Sequence, residues 1–117
     1  MSKAIMDLTE LLERVENDRE LMRDLLLIFK EEFPRHLQAL RDAVDSMDGE
    51  RVAAEAHTMK AMLSTLSATS AASAAARLEQ LGRNGRVCEF QEACASFENI
   101  SKKLLLQLDT CMAEVGG

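Results

Sequence analysis

Residues 48–66 read DGERVAAEAHTMKAMLSTL. Apolar residues recur in this stretch at intervals of three and four, at Val52, Ala56, Met59, Leu63 and Leu66, which is the spacing of one face of an α-helix. Asp48 precedes the pattern and can accept a hydrogen bond from the first free backbone amides. We therefore predict a helix over residues 49–66 that buries one apolar face.

The same reasoning applies to the segments before and after residues 48–66. Asp7 with Glu10 forms a capping-box pattern, Asp18 can cap the next helix, and the hydroxyls of residues 67–70 can cap the fourth. Pro34 removes a backbone donor inside the second helix, so we expect a kink near it. Gly82 and Gly85 predict a left-handed end to the fourth helix. The predicted helices span residues 7–15, 19–47, 49–66, 69–83 and 87–115.

The apolar pattern of the flanking helices completes a core. In the second helix the apolar residues at helical spacing are Leu21, Leu25, Ile28, Phe29, Leu37, Leu40, Val44 and Met47; in the last helix the residues are Val87, Phe90, Cys94, Phe97, Ser101, Leu104, Leu108, Cys111 and Val115. Short connections make successive helices antiparallel neighbours. The predicted fold is all-α: an antiparallel four-helix bundle with a short additional N-terminal helix, forming one domain over residues 1–117.

Composition narrows the functional classes. The net charge is −6, and the chain has four Phe but neither Trp nor Tyr, so a nucleic acid is a poor partner. No apolar run is long enough for a signal peptide or a membrane span. The three cysteines, at 88, 94 and 111, fall at apolar helical positions without a CxxC pair, which is typical of reduced core thiols. We expect a cytoplasmic monomer, and the initial Met favours a free-standing protein.

His57 is the residue that does not fit the apolar face. At about 100° per residue it points about 140° away from the core position Val52, so we expect it to face solvent. A neutral imidazole carries a nitrogen lone pair that can attack phosphorus. Its predicted neighbours on the same face are three small residues and one cation: Ala53, Ala61, Ser64 and Lys60. A protein surface could approach this imidazole closely, and Lys60 could neutralise a charged group attached to it.

Glu79 is the predicted partner of that imidazole. If the turn between the third and fourth helices centres on Ala68, His57 and Glu79 each lie eleven positions from it and reach the same height in an antiparallel pair. A carboxylate there could bind the non-reacting ring nitrogen and fix the orientation of the ring.

Other interpretations of these residues remain open. A lone histidine on a helix is usually a solvated side chain, and we interpret His36, just after Pro34, in that way. The chain could also be a helical module that binds a partner or regulator without chemistry. A metal or haem site is disfavoured because two histidines on different helices lack an inward-facing Glu-x-x-His pair. An autonomous active site is disfavoured because no nucleophile, base and orienting group can be assembled.

The motif Ala56-His57-Thr58-Met59-Lys60, followed by Leu78-Glu79 and Gly82-Arg83, resembles the signature of histidine-containing phosphotransfer (HPt) domains. The resemblance covers the whole chain in length and helix order. It departs at Ala61 and Ser67, where the family carries glycine. Ala61 adds a methyl group near the site, and Ser67 affects the geometry of the turn.

The resemblance implies a function. His57 would be phosphorylated on its ε nitrogen, Lys60 would steady the phosphate, and Glu79 would contact the imidazole. The chain would relay a phosphoryl group between aspartates of response-regulator receiver domains, with a hybrid sensor histidine kinase as a possible further partner. It would need no cofactor and bind no metal, because Mg²⁺ would be held by the receiver. We expect the docking surface to include Ala53, Ala61, Met62, Ser64, Arg83 and Arg86.

Overall fold

The structure of the protein, a computed structural model, describes the backbone of residues 8–116 and the side chains of residues 10 and 12–110. The described part of the chain contains five helices and no strand: α1 (Leu8–Arg14), α2 (Arg19–Asp45), α3 (Gly49–Thr65), α4 (Thr69–Arg83) and α5 (Val87–Gly116). Helices α2 to α5 form a closed bundle in which each packs against the next and α5 returns to α2, while α1 packs against α2. The predicted four-helix bundle with a short additional helix is confirmed.

Two helix starts follow directly from their caps. The side chain of Asp18 accepts a hydrogen bond from the backbone amide of Leu21 at 3.0 Å, and that of Asp48 accepts one from Arg51 at 3.2 Å. Each bond satisfies an amide that has no partner inside its helix. The capping role predicted for Asp7 lies outside the described residues.

Helix α2 runs through Pro34 without a break. A proline removes one hydrogen bond of the helix interior, but Phe29 and Phe33, on the turn before it, are buried and stack with ring centroids 4.6 Å apart. This packing holds the helix together across the missing donor. The bend that we expect in its axis near Pro34 stays a prediction.

The N-terminal half of α2 buries a different face from the predicted one. Leu21 and Ile28 are 44% and 57% exposed, whereas Leu26 and Phe33 are buried. Apolar residues occur in adjacent pairs along this segment. The pattern therefore fits two alternative buried faces, related by a rotation of one residue around the helix axis. The ring of Phe33 packs against that of Phe97 on α5 at 6.3 Å, and this contact selects the face. The predicted core positions of α3 are all buried, and in α5 those from Phe90 to Leu108 are buried.

Further exceptions lie at the ends of helices. Met47 and Val87, which the apolar pattern placed in the core, are 65% and 37% exposed. The predicted core position of Cys88 is also wrong, because this thiol is exposed, whereas Cys94 is buried. Cys94 lies on the face of α5 that meets the bundle, whereas Cys88 lies two residues before the buried Phe90 and therefore on the opposite side of the helix, toward solvent. The side chain of Cys111 lies outside the described set.

The turns after α2, α3 and α4 share one geometry. Each contains a residue in the left-handed conformation: Met47 (φ 55°), Ser67 (φ 57°) and Gly85 (φ 65°). In each the following amide reaches back five residues, as from Ala68 to the carbonyl of Leu63 at 2.9 Å, which is the Schellman pattern. Gly85 adopts this conformation without strain, as predicted for the end of α4.

Ser67 carries a side chain in the left-handed conformation, which glycine adopts with the least strain. Its hydroxyl oxygen is buried and has no hydrogen-bond partner among the described residues. The predicted capping of α4 by this hydroxyl stretch is therefore wrong, because the cap residue is Ala68 and no side chain bonds to the helix start. The backbone of Ser67 must adopt the left-handed conformation to connect α3 with α4, and this conformation directs its hydroxyl into the bundle.

Helices α3 and α4 approach each other closely at one point. A Cβ atom added to Gly82 would lie 2.7 Å from the carbonyl oxygen of Gly49 and 2.7 Å from the backbone nitrogen of Ala53. Real Cβ contacts are longer than this, so only glycine fits at position 82 without separating the helices. This contact fixes the spacing of the two helices that carry the predicted site.

We predict that Gly82→Ala lowers the free energy of unfolding by about 1–3 kcal/mol, because overpacking against backbone atoms outweighs the gain of about 1 kcal/mol in helix propensity. Urea unfolding followed by circular dichroism measures the change. Gly85→Asn is the matched control: no atom lies within 4 Å of its added Cβ, and asparagine tolerates the left-handed conformation. Equal stability of Gly82→Ala and the wild type would contradict the proposed close contact.

Candidate functional site

Helix α3 turns His57 outward. The side chain of His57 is 61% exposed, whereas Ala56 and Met59 on the same helix are buried. Its orientation agrees with the helical-wheel analysis. Ala61 and Ser64, which lie one and two turns farther along the same face, are exposed, and Ala53 one turn earlier is half-buried. The imidazole therefore stands on an open surface of small side chains.

Glu79 lies beside His57 across the seam between α3 and α4. The Nδ1 atom of His57 is 3.0 Å from Oε2 of Glu79, and the glutamate side chain is only 5% exposed. Equal distances from the turn predicted this pairing, but they did not predict how deeply Glu79 is buried. The structure buries it, because the close contact of α3 and α4 at Gly82 closes the seam over it.

Three side chains converge on the Glu79 carboxylate. Lys60 donates to Oε1 at 2.8 Å, while Arg83 at 2.5 Å and His57 at 3.0 Å both meet Oε2. The hydrogen bond from Lys60 is the strongest influence that lowers the pKa of Glu79; burial opposes it, and His57 and Arg83 lower the pKa further. Glu79 is thus an ionised carboxylate held in a largely water-excluded seam.

The charge of Glu79 determines the tautomer of His57. An ionised carboxylate can only accept hydrogen bonds, so Nδ1 of the imidazole must carry the proton and donate it. In the neutral ring the lone pair then lies on Nε2. Within the part of the chain that the structure describes, no hydrogen bond occupies Nε2. The arrangement presents a nucleophilic nitrogen to the solvent.

The cations predicted for a docking surface are engaged within the protein. Arg83 contacts Glu79, and Arg86 contacts Glu89 at 2.7 Å. The sequence assigned Lys60 to a bound phosphate and missed its contact with Glu79. The ion pair of Glu79 with Arg83 could have been predicted, because the two residues are four positions apart on one helix.

An apolar groove lies between α2 and α3, with its first α3 residue, Met62, five positions after His57. It has a volume of about 160 Å³ and is lined by Leu25, Ile28, Phe29, Met62, Thr65 and Leu66. Ile28 is 57% exposed at its edge. Met62 was predicted to lie on the docking surface. Leu25 and Ile28 were assigned to the core, so the sequence analysis missed that they line this groove.

His36 also has a carboxylate partner, contrary to the expectation of an unremarkable surface side chain. Its Nδ1 lies 3.3 Å from Oε2 of Glu55, and its side chain is 32% exposed. His36 and Glu55 lie eleven and eight positions from Met47, at the centre of the turn between α2 and α3, so the equal-distance argument that related His57 to Glu79 does not predict this pair. His36 is less exposed than His57. Among the side chains that the structure describes, no lysine or arginine contacts Glu55, so this pair lacks the cations found at Glu79.

Two negative findings hold for the described residues. No group of three or more His, Cys, Asp or Glu side chains among them could hold a metal ion. None of the helices there combines the length and the apolar character needed to cross a membrane.

We predict that Glu79→Gln lowers the free energy of unfolding by about 1–2 kcal/mol near neutral pH, because charged hydrogen bonds are lost. The pKa of Glu79 is lower in the folded state than its ordinary value of 4.5, so its ionisation stabilises the fold above that pH. This contribution is lost as the pH falls through the folded-state pKa. Urea unfolding of both proteins at neutral and acidic pH measures it, and a difference independent of pH would contradict the prediction.

Comparisons with known proteins give two matches, one to a family profile and one to a solved structure. A family profile described as the Hpt domain matches residues 24–116. The crystal structure of histidine-containing phosphotransfer protein B (HptB) from Pseudomonas aeruginosa PAO1 aligns with 97% of this chain and 98% of its own, with a TM-score of 0.88 and 19% sequence identity. At that identity the likeness concerns the fold. A search of curated protein sequences gives no match. Because the profile covers most of the sequence, the chain belongs to the Hpt domain family.

Proposed function

We propose that this protein carries a phosphoryl group on Nε2 of His57 and relays it between aspartates of receiver domains. The observation that supports this most directly is the pairing of an exposed imidazole with a buried, ionised Glu79 at 3.0 Å. The pairing directs the proton to Nδ1 and leaves the lone pair of Nε2 facing outward. A positioned nucleophile is what attack on phosphorus requires first of the carrier.

The remaining chemistry would come from the partner. A receiver domain would supply the aspartate and the Mg²⁺ that stabilises the transferring group. This protein would then act as a phosphoryl carrier without kinase activity of its own, in the cytoplasm, where its receivers and a hybrid sensor histidine kinase could meet it. Lys60, three residues after His57, could contact the phosphoryl oxygens once they are attached.

The docking surface we propose combines the open face around His57 with the apolar groove. Ala61 and Met62 connect the two, because they follow the histidine by one turn of α3. Ile28 projects at the far edge of the groove and could bury its side chain against an apolar patch of a receiver. Such an interface would leave Nε2 near its centre, where water is excluded during transfer.

We predict that His57→Gln abolishes uptake of phosphoryl label from a phosphorylated receiver, because an amide offers no nucleophilic nitrogen at that position. His36→Gln is the matched control, since His36 also pairs with a glutamate, and it should retain wild-type uptake. Autoradiography of the separated proteins measures the label, and its lability in acid with stability in alkali identifies phosphohistidine. Undiminished label on His57→Gln would refute the proposal, and a helical module without chemistry would give no label on any variant.

We predict that Ile28→Ser raises the concentration of protein required for half-maximal transfer about tenfold, because an exposed anchor of the interface is lost. The transfer rate at saturation should change little. Leu106→Ser is the control: Leu106 is 68% exposed on α5 and lies outside the groove. Initial rates measured over a concentration series give both quantities, and equal effects of the two substitutions would exclude the groove as the docking surface.

A further inference from the structure

Phosphoryl transfer changes the charge of the His57 ring; this inference rests on the proposed function. The lone pair of Nε2 forms the N–P bond, the bond between phosphorus and the aspartyl oxygen breaks, and its electron pair leaves with the receiver aspartate. No proton moves, so a ring that keeps its Nδ1 proton becomes a cation. In the reverse step this cation leaves as neutral imidazole, whereas a ring that had lost the proton would leave as an anion. Retention of the proton therefore keeps the phosphoryl group transferable.

Glu79 lies where it can retain that proton. Its Oε2 atom is 3.0 Å from Nδ1 of His57, and its side chain is 5% exposed. Opposite charges attract more strongly where water is excluded. We propose that Glu79 is the counter-ion of the phosphorylated ring and holds the proton on Nδ1, so that phosphohistidine stays cationic and reactive at neutral and mildly alkaline pH. This role differs from orientation alone, which an uncharged hydrogen-bond acceptor could also provide.

Lys60 completes the change of charge. Before transfer the carboxylate faces two cations, Lys60 on Oε1 at 2.8 Å and Arg83 on Oε2, beside a neutral ring. Lys60 is three residues from His57 and can turn from Glu79 to the phosphoryl oxygens. As Lys60 leaves Glu79, the His57 ring becomes positive and replaces Lys60 as a charged partner of the carboxylate. Glu79 then faces two positive charges before and after transfer, and its buried charge is never left uncompensated.

Charged groups from three helices surround this cluster. Lys60 lies on α3, Glu79 and Arg83 lie on α4, and Arg14 and Glu10 of α1 line a neighbouring cavity together with Lys60. Arg14 is ion-paired with Glu10 at 3.0 Å. Among the described side chains it is Glu79 that contacts Nδ1 of the imidazole. The pH at which the phosphorylated ring loses its proton should therefore depend chiefly on this carboxylate.

Chemical phosphorylation tests the proposal without a receiver. Phosphoramidate phosphorylates histidine directly, and phosphorus NMR of the product follows the loss of the Nδ1 proton as the pH is raised. In Glu79→Gln we expect this midpoint to fall by about 1–2 pH units relative to the wild type, which is the effect of removing an adjacent opposite charge. Above the midpoint of the variant, its phosphohistidine should hydrolyse several-fold more slowly than that of the wild type. A purely structural defect would not lengthen the lifetime in this way.

Two variants serve as controls. Glu79→Asp keeps a carboxylate and should recover part of the shift, whereas Glu55→Gln removes the partner of His36 and should leave the midpoint unchanged. If circular dichroism indicates that Glu79→Gln is unfolded, Glu79→Met replaces it. An unchanged midpoint in Glu79→Gln, or an equal shift in Glu55→Gln, would overturn the proposal. Failure of receivers to phosphorylate the wild type, with the midpoint shift intact, would reject the relay alone.

Discussion

The close contact of α3 with α4 is the constraint on which the site depends. Backbone atoms of Gly49 and Ala53 lie so near Gly82 that a methyl group at position 82 would stand 2.7 Å from two of them. Glu79 is three residues before Gly82 and is therefore enclosed in the seam at the height of His57. A wider pair of helices would admit water to the carboxylate and weaken its hold on the imidazole. The spacing of two backbones thus determines the electrostatics of one side chain.

A buried carboxylate is an unusual choice for a helical seam. Its desolvation costs several kcal/mol, and an apolar residue of similar volume is often as stable as a buried ion pair. Here the cost is offset by donors from Lys60, Arg83 and His57, whose side chains remain partly or largely exposed. Stability by itself gives little reason to keep such a group, whereas control of a proton on the neighbouring ring gives a clear one.

The second histidine shows which features distinguish the site. His36 and Glu55 also bring a ring nitrogen and a carboxylate together, at 3.3 Å, but His36 is about half as exposed as His57. A His–Glu pair between adjacent helices therefore arises readily from antiparallel packing. Exposure of the opposite ring nitrogen, a cation beside the carboxylate and an adjoining apolar groove are the additional features at His57. These features lie on three helices, so the site depends on the bundle as a whole.

The sequence by itself determined what is local or periodic: the helices, the caps at Asp18 and Asp48, the buried face of α3 and the outward direction of His57, because hydrogen bonding and a period of 3.6 residues act within a few turns. It also placed Glu79 at the height of His57, since equal distances from a tight turn imply adjacency. Only the tertiary structure decided which of two apolar faces α2 buries, because both fit the period and the contact of Phe33 with Phe97 selects one. It likewise decided that Lys60 contacts Glu79, because the partner of a long, flexible side chain depends on the spacing between helices, which a single sequence does not encode locally.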